Sequence, residues 1–332
     1  MKVIKFIKFW FINTRYHALA QSLLPASLAA VLAYGQEGFS PLLALLAVIG
    51  VELAHMGVNL FDDYFDYLHQ NTEYRELMAR AGMRARIAKC PYLTSGQASL
   101  KELFFVASAL GLLAGLFGLP IFLARGLPII YLTLITAALG LTYSGWPLRL
   151  SYRGLGELEI GLVFGPLMMS GVYFSACGGF SLPLILISIP VGLLVMNIVY
   201  THAIMDVEPD QRVGKMTLAV LVGSSFSRLT ILALVLVIPY LMVTLGVLTK
   251  KLPAVYLLVF ITLPLAVMLF KLMLQYVSHP AKPVSRRFWM GPMSRWPVVT
   301  ANGIEWFMVR WYLARNLLLF FCLTVMIASF LG

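Results

Sequence analysis

Charge is scarce in this chain. Asp, Glu, Lys and Arg make up 12% of its 332 residues, against about 25% in soluble proteins. Cysteine is scarcer still: Cys90, Cys177 and Cys322 stand far apart, which excludes a disulfide framework and the spacing of a structural zinc site. Aspartate occurs five times, in two places only. No internal repeat is visible. What the chain has in abundance is apolar sequence, 60% of all residues, in runs that reach the ~20 residues a helix needs to cross a bilayer. A water-soluble enzyme is therefore excluded, and an all-α polytopic membrane protein is expected. The net charge of +11 would suggest nucleic acid in a soluble protein. Here the positive-inside bias and anionic headgroups account for it, and membrane lipids are the expected partner.

The apolar runs predict nine spans in one bundle, at 16–34, 41–61, 102–123, 127–145, 156–177, 182–204, 226–248, 254–277 and 311–331. With the N-terminus in the cytoplasm, 22 of the 25 Lys and Arg residues fall on the cytoplasmic side. The opposite side keeps Arg125, Lys250 and Lys251. Residues 1–15 alternate Lys2, Lys5 and Lys8 with Val3, Ile4, Phe6, Ile7, Phe9 and Trp10. They read as an amphipathic interfacial arm in place of a cleavable leader. Two cytoplasmic loops stand out. Residues 67–101 carry Arg75, Arg80, Arg84, Arg86 and Lys89, with a short helix expected near 77–83. Residues 278–310 carry Arg286, Arg287 and Arg295 beside Trp289 and Trp296. The outer loops leave no room for a further domain, so residues 1–332 are expected to form a single membrane-embedded domain.

The five aspartates mark two span ends on the cytoplasmic side. Asn59-Leu60-Phe61-Asp62-Asp63-Tyr64-Phe65-Asp66 closes the second span. As a helix it sets Asn59, Asp63 and Asp66 on one face, with Asp62 beside them. Glu52 and His55 lie deeper on the same stripe. Asp206-Val207-Glu208-Pro209-Asp210 closes the sixth span, followed by Arg212 and Lys215. Carboxylates near lipid are costly. Hard oxygen ligands with adjacent cations suit Mg²⁺ and a diphosphate, because that ion takes few carboxylates and shares its remaining positions between water and phosphate. Intramembrane carboxylates also mark ion-coupled transporters, but those sites sit near mid-bilayer at broken helices. A CDP-alcohol phosphotransferase would need a longer run of Asp, Gly and Arg at fixed spacing.

The chain resembles the UbiA superfamily of intramembrane prenyltransferases, and most closely its menaquinone-type branch, which prenylates 1,4-dihydroxy-2-naphthoate. Five segments carry the resemblance: Asn59 to Asp66; Ser95-Gly96; Tyr143-Ser144-Gly145 with Tyr152-Arg153-Gly154-Leu155-Gly156-Glu157; Phe164-Gly165-Pro166; and Asp206 to Asp210 with Gly214-Lys215-Met216-Thr217-Leu218-Ala219-Val220. The resemblance as a whole spans roughly residues 15–225, and the last three spans add little to it. Two departures stand beside these segments. The branch has Asn-Asn-x-Arg-Asp where this chain has His202-Ala203-Ile204-Met205-Asp206, and Gly-x-Asp-Thr where it has His69-Gln70-Asn71-Thr72.

The resemblance implies Mg²⁺-dependent transfer of a polyprenyl group from a polyprenyl diphosphate to an aromatic acceptor, 1,4-dihydroxy-2-naphthoate in menaquinone biosynthesis. The implied setting is a bacterial inner membrane with the active site on its cytoplasmic side. Benzoate, porphyrin and glycerol-phosphate lipid acceptors stay open as alternatives. The implied metal ligands are Asn59, Asp62, Asp63 and Asp66 for one ion and Asp206 and Asp210 for the second; Asp63, Asp66, Asp206 and Asp210 are the implied catalytic set. Asn59, Lys215 and Arg212 are candidates for diphosphate, and Tyr143, Tyr200 and His202 for the cation or acceptor. For the tyrosines an interfacial belt position, and for His202 a structural hydrogen bond, are the alternatives. Glu157 matches the branch but has no assigned role.

Overall fold

The computed structural model describes residues 2–68 and 90–332. In chain order its helices are α1 Lys2–Asn13, α2 Ala20–Ala33, α3 Pro41–Leu68, α4 Pro91–Thr94, α5 Leu100–Arg125, α6 Leu127–Thr142, α7 Gly156–Leu162, α8 Met168–Cys177, α9 Leu182–Met205, α10 Val207–Arg212, α11 Leu218–Leu221, α12 Ser225–Leu248, α13 Leu263–Ser278, α14 Trp296–Ala301 and α15 Glu305–Leu331. No strand occurs among the described residues beyond one isolated bridge, Arg153 to Met216. A π turn over Val163–Leu167, at Pro166, carries α7 into α8, and a 3-10 stretch Ala254–Thr262 precedes α13. Eight helical stretches among the described residues are long and apolar enough to cross a membrane. The expected fourth span is α6, shorter at 16 residues.

Two boundaries differ from expectation. The second span does not stop at 61: α3 runs to Leu68 and takes the whole first acidic cluster into helix. The last span starts at Glu305 rather than 311, because Trp306, Phe307 and Val309 are buried and continue the apolar face of α15. The basic residues Arg75, Arg80, Arg84, Arg86 and Lys89, the helix expected near 77–83, and Asn71 lie outside the described residues. The outward faces are apolar as lipid requires: on α5, Leu112, Leu116, Leu119 and Leu123 recur every three to four residues and are all exposed.

The chain packs as two compact units, Met1–Tyr152 with Leu167–Phe180, and Arg153–Pro166 with Ser181–Gly332. In the first, α3 lies against α2, α5 and α8. Gly57 permits the close approach to α5, since a Cβ there would stand 3.1 Å from the Ala107 carbonyl. α5 begins with a capping box: Ser99 accepts from the Glu102 amide, and the Glu102 carboxylate accepts from the Ser99 amide. At the opposite end of α5, Arg125 donates to the carbonyls of Gly38, Ser175 and Ala176. α1 sits on this unit through Trp10, which meets the ring of Tyr92 edge-on at 5.9 Å.

In the second unit, α9 packs against α7, α12 and α15. The contact with α7 is glycine on glycine. A Cβ on Gly192 would stand 2.3 Å from the Gly161 carbonyl, and one on Gly165 would stand 2.5 Å from the Ser188 carbonyl. The Phe164-Gly165-Pro166 segment thus serves close helix packing. Arg310 is fully buried. Its Nε donates to the Leu272 carbonyl at 3.0 Å and its guanidinium lies over the Tyr276 ring.

Candidate active site

All five aspartates are buried, none more than 8% exposed. In the first unit, continuation of α3 to Leu68 places Asp62, Asp63 and Asp66 in its last two turns. Each carboxylate has named donors. Ser144 Oγ donates to Asp62 Oδ1 at 2.5 Å, and Tyr92 Oη donates to Asp63 Oδ2 at 2.9 Å. Tyr152 Oη donates to Asp66 Oδ1 at 2.8 Å. Arg15 forms ion pairs with Asp62 Oδ2 at 2.9 Å and with Asp63 Oδ1. Burial pushes the Tyr92 phenol above its ordinary range, so it stays a donor. Asn59 turns its amide to the Thr14 carbonyl at 3.0 Å.

The Tyr143-Ser144-Gly145 segment serves this cluster directly. Ser144 supplies the hydroxyl to Asp62. Gly145 lets the turn pass Phe65 of α3, because a Cβ there would stand 2.8 Å from its ring. Tyr143 is half-buried and its carbonyl accepts from the Ser151 amide at 2.8 Å. Arg149, in left-handed backbone conformation at φ 48, places its guanidinium 4.6 Å from the Tyr152 ring. Deeper on α3, His55 Nδ1 is hydrogen-bonded to Ser22 Oγ at 2.7 Å, and the buried Glu52 carboxylate lies one turn away.

In the second unit, Asp206 ends α9 and Asp210 lies one turn on, within α10. His202 Nε2 is hydrogen-bonded to Asp206 Oδ2 at 2.9 Å, across one helical turn. The His202 ring meets Phe307 edge-on. The Lys215 amide donates to the Asp210 carbonyl at 2.8 Å. Lys215 also lines a cleft of about 330 Å³ with Gln211, Gly214, Met216, Val220 and Leu221. Arg212 is exposed and paired with Glu208 at 2.7 Å. Tyr200 is fully buried and donates to the Arg228 carbonyl at 3.2 Å, which gives it a place in the packing of α9.

The segment Arg153 to Glu157 explains itself here. Arg153 bridges Met216, Gly154 packs against Leu221, and Glu157 accepts from the Leu218 amide. All three act on the loop that carries Lys215. Sequence reasoning missed Arg15, Tyr92 and Tyr152, which reach the first cluster from far along the chain. Their sequence signal is position, each near the end of a span, and Tyr152 also opens one of the segments that carry the family resemblance.

Among the described residues, no three His, Cys, Asp or Glu side chains converge into a preformed metal cage. The donors still fit Mg²⁺, which takes one or two carboxylates and leaves its other positions to water and phosphate. The described residues thus combine membrane-length apolar helices with buried carboxylates at helix ends. The UbiA prenyltransferase family model matches residues 22–291, and the chain belongs to this family of prenyltransferases. It is 31% identical over 290 residues to the 2-carboxy-1,4-naphthoquinone phytyltransferase of Synechocystis sp., covering 85% of this chain and 87% of that one. It is 29% identical over 251 residues to the 1,4-dihydroxy-2-naphthoate octaprenyltransferase of Bacillus subtilis, covering 76% and 77%. Its fold is similar to that of a UbiA homolog from Archaeoglobus fulgidus bound to DMAPP and Mg²⁺, with TM-score 0.58, 15% identity and coverage of 96% and 98%.

Proposed function

We propose that the chain transfers a polyprenyl group from a polyprenyl diphosphate to 1,4-dihydroxy-2-naphthoate, with Mg²⁺, on the cytoplasmic side of a bacterial inner membrane. We read residues 1–332 as one domain for this activity; the family match, over residues 22–291, includes residues of both compact units. One observation carries the metal and diphosphate reading. Every aspartate of the chain is buried at the end of a membrane-length helix or one turn beyond it, in one of two clusters. Stability alone gives no reason to keep so many carboxylates near lipid. The acceptor reading is supported by the two relatives named for naphthoate and naphthoquinone substrates.

Asn59, Asp63 and Asp66 would hold one ion, with Asp62 as a further ligand, and Asp206 and Asp210 a second. When bound, Mg²⁺ supplies positive charge to the departing diphosphate. Lys215, half-buried at its cleft, contacts a diphosphate oxygen. His202 orients the Asp206 carboxylate. Tyr143 presents its ring to the allylic cation or the acceptor. The apolar walls of the bundle keep water from the cation until the electron-rich acceptor carbon attacks, and that carbon then gives up its own substituent, a proton or its carboxylate as carbon dioxide, to restore the aromatic ring.

An acceptor panel tests this reading: purified protein, Mg²⁺, farnesyl and longer prenyl diphosphates, and candidate aromatic acids, with products read by mass spectrometry. Prenylated naphthoquinol from 1,4-dihydroxy-2-naphthoate is the expected product. Product only from a benzoate, a porphyrin or a glycerol-phosphate lipid would overturn the acceptor assignment.

A further inference from the structure

Arg15 belongs to neither acidic cluster in sequence, yet among the described residues it is a cation paired with two carboxylates of the first one. Its two terminal nitrogens reach Asp62 Oδ2 and Asp63 Oδ1. Ser144 and Tyr92 donate to the remaining oxygens of the same two carboxylates. Every oxygen of the Asp62–Asp63 pair therefore has a protein donor. The place where a divalent ion would add positive charge already contains a guanidinium.

The arm that delivers Arg15 is built for the purpose. The backbone of Arg15 itself is left-handed, at φ 60 and ψ 44, a conformation that few non-glycine residues adopt. Three contacts hold the arm in place. Asn59 donates to the carbonyl of Thr14, the residue before Arg15. The Thr14 amide donates to the Trp10 carbonyl at 2.9 Å. Trp10 is buried against Tyr92, the residue that donates to Asp63. The Arg15 side chain is nonetheless 33% exposed, so an anion from solvent can reach it. A guanidinium binds phosphate oxygens in the same paired geometry as a carboxylate.

We propose that Arg15 is a positioning residue that closes the Asp62–Asp63 pair to a divalent cation until a diphosphate draws the guanidinium away. The proposal rests on the reading of Asp63 as a metal ligand. Its consequence is coupling: the metal alone competes with Arg15, whereas diphosphate and metal together replace it. The enzyme then commits metal to the first cluster only with substrate present.

The test is equilibrium dialysis of Mn²⁺ against the full chain in detergent, with and without inorganic pyrophosphate, reading metal in excess on the protein side. For the wild type, pyrophosphate should raise Mn²⁺ affinity roughly tenfold, the usual size of a coupling between two ligands. Arg15→Gln should bind Mn²⁺ alone roughly tenfold tighter than the wild type and gain little from pyrophosphate. Arg15→Lys keeps the charge and should bind Mn²⁺ alone as weakly as the wild type. A merely structural ion pair would give the opposite pattern, because losing it would loosen the cluster. Equal or weaker binding of Mn²⁺ alone by Arg15→Gln, or tighter binding by Arg15→Lys, overturns the proposal. Asp63→Asn separates the two readings. If it leaves Mn²⁺ binding with pyrophosphate unchanged, the metal assignment and the latch both fall. If it removes that binding while Arg15→Gln changes nothing, the latch alone falls.

Discussion

Glu157 presents both carboxylate oxygens to the amide of Leu218, each at 3.1 Å. Leu218 opens α11, so a carboxylate from α7 caps the helix that follows Lys215. Glu157→Ala leaves that amide unpaired. The expected cost is about 1–3 kcal/mol of stability, seen as a lower melting temperature in detergent, with a higher KM for prenyl diphosphate because the Lys215 loop loses its anchor. An unchanged melting temperature and KM would show that the cap does not position the loop.

Gly145→Ala should disturb the first cluster without touching a carboxylate. The added Cβ meets the Phe65 ring at 2.8 Å and the Leu141 carbonyl at 2.4 Å. Overpacking of this kind costs about 1–3 kcal/mol. Displacing Phe65 also moves the helix turn between Asp62 and Asp66. The expected result is lower stability together with lower kcat; a variant with wild-type values for both would contradict the packing.

His202→Ala should act through Asp206. The hydrogen bond between them spans one turn, at 2.9 Å. Residues that orient a metal ligand are typically worth about 10- to 100-fold in metal affinity or activity. The half-saturating Mg²⁺ concentration is therefore expected to rise by such a factor while the melting temperature changes little. A fall in kcat at unchanged Mg²⁺ dependence would place His202 on the acceptor instead.

Tyr92 provides a pH signature. Burial raises its phenol above the ordinary tyrosine value of about 10. Its hydrogen bond to Asp63 is thus fully present below pH 10. As pH rises past 10 the unfolded chain ionises while the folded one resists, so stability falls on the alkaline side only. Tyr92→Phe should lose about 1 kcal/mol at neutral pH and show a shallower loss of melting temperature above pH 10. Parallel curves for both proteins would contradict the buried, neutral phenol.

The spans, the two acidic helix ends and the family segments were legible because each is a local pattern. Apolar runs mark helices, and carboxylates at their ends stand out against a chain with so few of them. Three things were not legible. Arg15 reads as one more basic residue of the interfacial arm; its pairing with Asp62 and Asp63 joins positions far apart in sequence. Tyr92 and Tyr152 look like interfacial aromatics until their hydroxyls are seen on Asp63 and Asp66. Glu157 and Gly154 match a family segment, but only the packing of Leu218 and Leu221 against them says why. Conversely, Tyr200 carries the right residue type at the right depth, and the fold directs its hydroxyl to a backbone carbonyl.

Both aspartate clusters are proposed to hold divalent ions for cleavage of a prenyl diphosphate. Diphosphate release from farnesyl diphosphate, in the presence of acceptor, measures it most directly, in wild type, Asp63→Ala and Asp206→Ala, with Mg²⁺ and with excess chelator. The wild type should release diphosphate with Mg²⁺ and stop with chelator. Each variant should fall by at least about a thousandfold, as expected for losing the main stabilisation of leaving-group charge, while still eluting as a folded protein. Release that survives the chelator, or a near-normal rate in either variant, would contradict the account.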